Sequence, residues 1–380
     1  MIEALFFGSV LLAVYPYAVY PLAILAIGAL RPRPVRRAPF TPTVSVLIPA
    51  YNEADCIEAT IRNKLEQDYP RERVQILVVS DGSTDGTDDI VRRYADRGVE
   101  LLRREGREGK AAALNEAVGR ARGEIIVFSD ANSLFAPDAL SRMMENYADP
   151  EVGYVTGRLR FEGEEGSVGS SGGGAYLRYE SFVREAETRA GSIIGVNGGV
   201  DSIRRCLYSD IPRQLITDFV LPLRVVAAGR RVIYDPRVGA RERPNAGLES
   251  EFRMRVRVAL RALQGLAHMR GLLNPFRRPL VAFCLVSHKL LRYLAFVFLP
   301  IALATGAWLA PASAFYAALF AAQIGAYGLA LLGLARTLPP RLRRLTAVPS
   351  YFLLSNLAFG LAVFKLLRGE SMATWKPRAG

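Results

Sequence analysis

The chain has 380 residues, 51% of them hydrophobic and 22% charged, and its 49 Lys and Arg exceed its 36 Asp and Glu to give a net charge of +13. This hydrophobic content excludes intrinsic disorder, and a mean hydropathy of +0.15 argues against a wholly soluble protein. The basic excess fits either nucleic acid or a membrane whose cytoplasmic side collects Lys and Arg. Three scattered cysteines without a CxxC pair predict neither a disulfide framework nor a zinc site.

The first 30 residues predict a membrane anchor. No charged residue occurs from position 4 to position 30, which is long enough to cross a bilayer core of about 30 Å. Four arginines follow this apolar run: Arg31, Arg33, Arg36 and Arg37. A cleaved secretory signal would carry its basic residues before the apolar stretch. We therefore expect an uncleaved transmembrane helix over residues 1–30, kinked at Pro16 and Pro21, with the following chain in the cytoplasm.

Residues 42–250 predict a cytosolic α/β domain, because short apolar runs alternate with helical patterns. The predicted strands cover residues 44–48, 74–80, 99–102 and 125–129. The predicted helices cover residues 54–67, 86–94, 110–121 and 137–147. Such alternation is typical of a doubly wound parallel sheet, in which ligands bind at the C-terminal ends of the strands.

Polar residues collect at those predicted strand ends, in the segments 49–53, 81–85 and 130–132. Each segment alone is a weak signal, since Ser83 and Thr84 serve equally well as turn or helix-capping residues. Acids that recur along one edge would repel each other unless a ligand separates them. The pattern therefore predicts a metal or a hydrogen-bonding ligand at this edge.

The C-terminal region, residues 285–368, predicts about three membrane spans. Apolar blocks of about 20 residues, the length a span requires, cover 290–309, 314–335 and 347–367. The tail that follows is basic, with Lys365, Arg368, Lys376 and Arg378. Three spans that start in the cytoplasm would place this tail outside, against the positive-inside rule. The topology of this region is therefore left open by the sequence.

The segment 251–275 links the domain to the spans. Apolar residues and arginines lie largely on different faces of a helix drawn through it, which favours an amphipathic helix at the membrane surface. Residues 253–258 alternate strictly, which is also compatible with a strand. The apolar span that follows favours the helix.

Four segments, in chain order, resemble the membrane-bound glycosyltransferases of family 2: VSVLIPAYNE, ILVVSDGSTDGT, GREGKAAALNEAVGRARGEIIVFSDAN and ITDFVLPLRVVAAG. The resemblance covers about residues 44–270, and the flanking apolar segments are similar to those of the polysaccharide-synthase branch. It implies a GT-A fold, Rossmann-like with a mostly parallel sheet, and sugar transfer from a nucleotide donor with inversion at the anomeric carbon. The motifs are much less specific for the sugar that is transferred than for the family.

The resemblance also implies a donor site. Its nucleotide-binding residues would be Pro49, Tyr51, Glu53, Asp81, Lys110 and Asp130. The Asp81 carboxylate could accept hydrogen bonds from a uracil N–H or a ribose hydroxyl, and Lys110 would lie near the diphosphate. No GxxxxGK[ST] loop surrounds Lys110, which argues against an ATPase.

Two further matches to the family's motifs imply a metal site and a catalytic base. Asp130-Ala131-Asn132 stands where the family has Asp-x-Asp, so Mg²⁺ or Mn²⁺ would bridge Asp130, Asn132 and the donor phosphates, with the Asn132 amide a weaker ligand than a carboxylate. Inversion needs a base for the acceptor hydroxyl. The family places it in an acidic pair, of which Asp218 keeps the second acid while Thr217 replaces the first. Asp218 is therefore the expected catalytic base.

The acceptor side departs most from the family. Asn197 lies in a segment that the family has near the acceptor. The family's Gln-x-x-Arg-Trp motif aligns with residues 254–258, which keep Arg255 and Arg257 for the diphosphate but lack Gln and Trp. The missing indole removes an aromatic platform for an acceptor sugar, which puts processive synthesis in doubt.

The sequence thus predicts a multi-pass enzyme of the cell membrane, with a cytoplasmic domain that transfers sugar from a nucleotide-diphospho-sugar, UDP-linked by expectation, to a polysaccharide or lipid-linked acceptor. One alternative adds a single sugar to a polyprenyl phosphate. Another class is a transporter with a nucleotide-sugar-sensing domain, although the predicted spans contain very few ionisable residues and no broken inverted repeat. Nucleic-acid binding is disfavoured, because the arginines gather at membrane borders without interleaved aromatics.

Overall fold

A computed structural model describes residues 1–161, 168–242, 248–334 and 338–370. Its strands are β1 (Val44–Ala50), β2 (Val74–Ser80), β3 (Val99–Arg103), β4 (Ile125–Phe128), β5 (Leu134–Phe135), β6 (Val152–Phe161), β7 (Asp201–Arg204) and β8 (Arg231–Glu242). Its α-helices are α1 (Ile2–Val14), α2 (Val19–Leu30), α3 (Ala54–Leu65), α4 (Thr87–Arg92), α5 (Lys110–Arg120), α6 (Ala139–Glu145), α7 (Val168–Ala190), α8 (Thr217–Ala227), α9 (Leu248–His268), α10 (Pro279–Cys284), α11 (Leu291–Leu309), α12 (Ala314–Leu332) and α13 (Pro340–Leu367).

The strands form one eight-stranded sheet in the order β3-β2-β1-β4-β7-β6-β8-β5. The half that the sequence predicted is parallel, since β1 pairs with β2 and β4, and β2 pairs with β3. Beyond β4 the sheet is mixed: β7 is antiparallel to both β4 and β6, β8 is parallel to β6, and β5 is antiparallel to β8. The predicted α/β class is therefore confirmed as a mixed, curled sheet.

Helices cover both faces of the sheet, and this explains the uninterrupted apolar runs of its central strands. Every residue of β1 and of β2 is buried. Successive side chains of β1 point to opposite faces: Val46 and Ile48 pack with α3 and α6, and Leu47 packs with α5 and α8. A strand buried on both sides has no polar face, so it loses the alternation of a half-exposed strand.

A third apolar cluster fastens the terminal helices to the domain. It joins Tyr20 and Ile24 of α2, Val183 of α7, Leu260 of α9 and Ala358 of α13, all fully buried. The segment predicted as an amphipathic helix rather than a strand is helical, and its apolar face packs into this cluster. Helix α9 therefore bridges the domain and the apolar helices, while its contact with a membrane surface stays a prediction.

The N-terminal anchor, predicted as one kinked helix over residues 1–30, is two helices in the structure. Helices α1 and α2 are bent by 57° at a short break around Pro16. Proline has no N–H for the helical ladder and disfavours helical geometry in the residue before it, so α1 ends before Pro16. The pair is compatible in length with one broken span or a re-entrant loop.

Three C-terminal segments are long and apolar enough to cross a membrane: Pro279–Ala312, Ala314–Leu332 and Leu345–Leu367. They contain or overlap the three predicted blocks, although residues 335–337 and the basic tail from 371 onward lie outside the described residues. Helix α12 buries only 6% of its apolar window against the protein. A helix that is apolar all round and bare on most sides fits a lipid environment.

Gly123 provides a test of the packing of β1 against β4. A Cβ on Gly123 would lie 2.4 Å from the Ser45 nitrogen and 2.5 Å from the Val44 carbonyl carbon, which are backbone atoms that cannot rotate away. We predict that Gly123→Ala destabilises the fold by about 1–3 kcal/mol, the usual range for overpacking. The measurement is the thermal unfolding midpoint of the detergent-solubilised protein.

Gly119→Ala is the matched control, because a Cβ there meets nothing within 4 Å and the residue lies in helix α5. Alanine is favoured over glycine by about 1 kcal/mol in a helix, so this midpoint should be unchanged or raised. Equal midpoints for Gly123→Ala and the wild type at the same scan rate would contradict the tight approach of β1 and β4.

Candidate active site

The loops after β1 and β2 are tied together at the C-terminal edge of the sheet. The Asn52 N–H donates to Ser83 Oγ at 3.1 Å, and Asn52 Oδ1 accepts from the Thr84 N–H at 2.9 Å. The Asp85 carboxylate accepts from the first N–H of α3 and from the first N–H of α4, both at 3.0 Å. Ser83 and Thr84 therefore act in the structure as turn residues, the simpler of the two interpretations their sequence allowed.

Asp81 is fully buried, and its carboxylate binds the loop between β3 and α5. Its Oδ1 accepts from Arg104 Nη1 at 2.7 Å and from the Glu108 N–H at 3.1 Å, and its Oδ2 accepts from the Gly109 N–H at 2.7 Å. An ionised carboxylate offers about four acceptor positions, so about one remains for a nucleobase. Arg104 also contacts Glu116 at 2.8 Å. Binding of a base by Asp81 stays a prediction, and its role in shaping the loop is evident.

The other predicted nucleoside residues surround the end of β1. The guanidinium of Arg107 lies 4.0 Å from the centroid of the half-buried Tyr51 ring. Glu53 precedes α3 and accepts from the Cys56 thiol at 3.2 Å. Pro49 is buried in β1 just past the last residue that pairs with β4. These residues therefore lie near the boundary between β1 and β4, where the strand order reverses and where α/β sheets bind ligands.

Lys110 lies between Asp130, the predicted metal ligand, and Asp218, the predicted catalytic base. Its Nζ lies 2.6 Å from Asp130 Oδ1 and 3.9 Å from Asp218 Oδ1. Burial alone would lower the pKa of Lys110, but the carboxylates of Asp130 and Asp218 outweigh burial and raise that pKa above its ordinary value. The lysine is therefore charged at neutral pH. The predicted donor, metal and base positions thus meet at one ammonium group.

Two glycines, Gly198 and Gly199, allow close packing of the chain around Asp218 and Asp130. A Cβ on Gly198 would lie 2.2 Å from Asp218 Oδ2, and a Cβ on Gly199, whose φ is +81°, would lie 2.7 Å from Ser133 Oγ and 2.9 Å from Glu242 Oε1. Ser133 Oγ donates in turn to Glu242. The bare backbone of this turn therefore touches Asp218 on one side and the loop after β4 on the other. Ser133 and Glu242 were not among the residues predicted from sequence.

A third acid, Asp201, lies close to the same ammonium. It stands in β7, is 1% exposed and accepts a hydrogen bond from the Tyr154 hydroxyl. Burial and the negative charge of Asp218 raise the pKa of Asp201 well above its usual range. Asp201 is therefore protonated more easily than an ordinary aspartate. Sequence reasoning passed over Asp201, whose one signal was an acid two residues after Gly199, at the start of the short strand Asp201–Arg204.

The predicted metal ligands have a suitable setting. Asp130 and Asn132 are half-buried, whereas Ala131 between them is buried and its carbonyl oxygen accepts from Thr60 Oγ1 at 2.6 Å. Both polar side chains offer the oxygen donors that Mg²⁺ and Mn²⁺ prefer. No group of three acidic, His or Cys side chains among the described residues forms a complete cage. One or two side chains plus substrate phosphates is the usual arrangement for Mg²⁺, so these residues fit a metal that binds together with the nucleotide.

Arg255, one of the two arginines predicted to bind the diphosphate, faces the apolar helices. Its guanidinium lies 3.8 Å from the centroid of the Tyr351 ring and donates to Ser355 Oγ at 2.9 Å, both on α13. It also pairs with Glu251 one helical turn earlier. The structure therefore does not bring Arg255 together with Lys110, and a role of Arg255 at the diphosphate stays a prediction.

Arg257 lies one turn before Arg261, a residue that sequence reasoning did not single out. Arg261 donates to the Leu215 carbonyl oxygen in the segment before α8. Burial and the charge of Arg257 lower the pKa of Arg261, and the charge of Asp218 opposes them. Arg261 therefore lies near enough to Asp218 for their charges to interact. The signal available in the sequence was its spacing of four from Arg257, which puts both on one helix face.

Asn197 holds the turn that leads to Gly198. Its Oδ1 accepts from Arg184 Nη1 of α7, and its Nδ2 donates to the Gly157 carbonyl oxygen at 3.0 Å. These bonds fix the turn against α7 and β6. A contact between Asn197 and an acceptor sugar stays a prediction.

Comparison with known proteins gives this centre a family. Residues 45–202 match the domain described as Glycosyl transferase family 2. The poly-beta-1,6-N-acetyl-D-glucosamine synthase of Staphylococcus aureus (strain MSSA476) is 28% identical over 202 residues, which are 51% of this chain and 48% of that protein. The synthase of the same name from Staphylococcus epidermidis is 26% identical over 200 residues, with the same coverage. The chain spans about half the length of the curated relatives it matches.

A solved structure extends the likeness to nearly the whole chain. The mannosyltransferase PcManGT from Pyrobaculum calidifontis, in complex with GDP-Man and Mn²⁺, superposes with a TM-score of 0.72 at 27% identity, over 97% of this chain and 100% of that one. The mixed, curled sheet and the C-terminal apolar helices both fall within this match. Residues 45–202 therefore match a glycosyltransferase domain of family 2, and the chain has a GT-A-like fold followed by apolar helices that could span a membrane.

Proposed function

We propose that the protein is an inverting membrane glycosyltransferase that moves a sugar from a nucleotide-diphospho-sugar to a glycan or lipid-linked acceptor at the cytoplasmic membrane face. The observation that carries this proposal is the position of Lys110, with Asp130 on one side and Asp218 on the other. In a glycosyltransferase domain these acids would divide the work, Asp130 on the donor and Asp218 on the acceptor.

Asp218 is proposed as the general base. It would take the proton of the acceptor hydroxyl while that oxygen bonds to the anomeric carbon of the donor sugar. The bond from the anomeric carbon to the diphosphate oxygen breaks on the opposite face, and its electron pair leaves with the nucleoside diphosphate. The ammonium of Lys110 would stabilise the negative charge that develops on this leaving group. A divalent metal held by Asp130 and Asn132, when bound, would neutralise the diphosphate further.

The nucleoside would lie over the end of β1, against Pro49, Tyr51, Glu53 and Asp81. The guanidinium stacked on Tyr51 shows that this ring accepts a flat, delocalised partner, which a nucleobase also is. The sequence resemblance favours UDP, whereas the neighbouring mannosyltransferase was solved with GDP-Man. Transfer assays with radiolabelled UDP- and GDP-sugars would identify the base and the sugar together.

Membrane attachment and orientation follow from charge and hydropathy. The four arginines just after α2 lie between the first apolar helices and the domain, which the positive-inside rule places in the cytoplasm. The bare apolar surface of α12 favours several passes through the bilayer. The donor site would then face the compartment in which nucleotide sugars are made.

The first prediction concerns the base. Asp218→Asn keeps the size of the side chain but removes its basicity, so transfer should fall about 10²- to 10⁴-fold, the usual contribution of general base catalysis. Calorimetry should show little change in affinity for the nucleotide. Asp210→Asn, at an exposed acid before α8, should retain activity. Full activity of Asp218→Asn, or loss of its nucleotide binding, would exclude Asp218 as the base.

The second prediction concerns the metal. EDTA should stop turnover, and Mn²⁺ or Mg²⁺ should restore it. Asn132→Asp supplies a charged ligand and should lower the Mn²⁺ dissociation constant about tenfold in an EPR titration with bound nucleotide, since ligand charge tunes affinity. Asn274→Asp adds the same charge on an exposed loop and should not change it. Undiminished turnover in EDTA would refute the metal role of Asp130.

The third prediction concerns the glycine turn. The methyl group of Gly198→Ala would overlap Asp218 Oδ2, so the carboxylate must move and transfer should fall at least about tenfold. Nucleotide affinity should persist, because the three atoms nearest to the added methyl group all belong to Asp218. Gly119→Ala again serves as control. Wild-type transfer by Gly198→Ala would show that the position of Asp218 is not critical.

A further inference from the structure

A buried group of charged side chains lies between α7 and the start of α11, outside the centre described above. Its members are at most 9% exposed: Glu180, Arg184, Glu187, His288, Lys289 and Arg292. The chain between α10 and α11 is π-helical over Leu285–Leu290, which contains His288 and Lys289. Such π-helical turns occur frequently at functional sites.

Most charges in this group are paired. The His288 ring contacts Glu187 Oε1 at 2.6 Å and Glu180 Oε1 at 3.2 Å. Arg292 donates to Glu180 Oε1, and Arg184 Nη2 lies 3.7 Å from Glu180 Oε2. His288 and Arg292 thus bind only one oxygen of each glutamate, whereas Glu180 Oε2 and Glu187 Oε2 accept no hydrogen bond among the described residues. The three cations Arg184, Lys289 and Arg292 outnumber the two glutamates.

Within the described part of the chain Lys289 makes no hydrogen bond and no ion pair, although the negative charges of Glu180 and Glu187 act on it from farther away. Its Nζ points at the turn described above, 3.0 Å from where a Cβ on Gly195 would lie. An ammonium that is largely withdrawn from water and makes no direct ion pair would gain from an anionic ligand. Because Gly195 is three residues before Gly198, the two Cα atoms are at most about 11 Å apart, so Lys289 and Asp218 flank one short turn.

The neighbouring arginines also have unused donors. Arg184 Nε, Arg292 Nε and Arg292 Nη2 are enclosed without a hydrogen-bond partner among the described residues. Three cations around two acids leave a positive excess, with several N–H groups available. Phosphate suits such a group, because its oxygens accept charge-assisted bonds from guanidinium and ammonium alike.

The source of the phosphate follows from the surroundings. Lys289 and Arg292 belong to Pro279–Ala312, the apolar segment long enough to cross a membrane, near the end that adjoins the domain. Helices α2, α11 and α13 surround the group with apolar side chains. A ligand with a phosphate at the membrane edge and an apolar tail along these helices is a lipid.

We propose that Lys289, with Arg184 and Arg292, binds the phosphate or diphosphate group of a membrane lipid that serves as the acceptor. This inference rests on the proposed function and specifies the class of its acceptor. The phosphate is an anchor at which no bond is made or broken. The turn over residues 195–199 then leads the accepting hydroxyl to Asp218.

The test is direct binding to the full chain in lipid nanodiscs, with radiolabelled geranylgeranyl phosphate as probe. The wild type should bind it and should not bind geranylgeraniol, which lacks the phosphate. Lys289→Met should weaken binding about tenfold or more, the loss expected for a charge-assisted contact. Lys289→Arg should retain most of it. Lys365→Met, at a lysine paired with Glu370, should bind as the wild type does.

Three results would overturn the proposal: equal affinity for geranylgeraniol, equal affinity for inorganic phosphate without a lipid tail, or unchanged binding in Lys289→Met. Arg184→Gln provides a second variant from α7 and should weaken binding in the same direction. It replaces Lys289→Met as the deciding variant if the latter does not fold.

Nucleotide-sugar binding by the same samples separates this inference from the proposed function. Lys289→Met should retain donor affinity, which also shows that it is folded. A wild type that binds no nucleotide sugar would refute the proposed function. A wild type that binds and transfers sugar, with lipid-phosphate binding indifferent to Lys289, would refute the lipid site alone.

Discussion

One ammonium group shared by two carboxylates is the constraint on which the centre depends. Asp130 follows β4 in the parallel half of the sheet, and Asp218 belongs to α8, between β7 and β8 of the mixed half. Without Lys110 the like charges of the two acids would repel each other. The position of Lys110 is set by its neighbour Gly109, whose N–H is bound by the buried Asp81. Asp81 thus contributes to the centre even before a nucleotide is considered.

The parallel half of the fold was predictable because its strands are continuous apolar runs followed by polar clusters, and each helix follows its strand closely. The other half was not. Strand β5 has two residues, and β8 interrupts its apolar pattern with Asp235, Arg237 and Gly239 and pairs with β6 across a register shift. A bulged strand loses the period of two that sequence reasoning relies on. Pairing between segments some 80 residues apart leaves no local signal.

The same distinction applies to the site. Lys110, Asp130 and Asp218 stand in local motifs, and the structure brings them together; Glu242 meets Ser133 only because β8 returns beside β5. The arginines of α9 follow helix geometry. Arg255 and Arg257 are two residues apart, about 200° around a helix, so they face different partners, whereas Arg257 and Arg261 share a face near Asp218. The sequence prediction grouped Arg255 with Arg257 because both align with one family motif, and that alignment does not contain their positions around the helix.

The net charge of +13 is compatible with a membrane or a nucleic acid as partner. The buried cations indicate the chemistry of a ligand more specifically than the exposed ones do. Exposed arginines are solvated and report orientation, whereas the largely buried ammonium of Lys289, which makes no direct ion pair among the described residues, favours an anionic ligand. The turn from Gly195 to Gly199 lies between that ammonium and Asp218, with glycine at both contact points. Gly195 and Gly198 place no side chain of their own at these two contacts, so the backbone of the turn helps to set the distance between a phosphate bound at Lys289 and the proposed base. Lengthening the turn would separate acceptor binding from proton transfer.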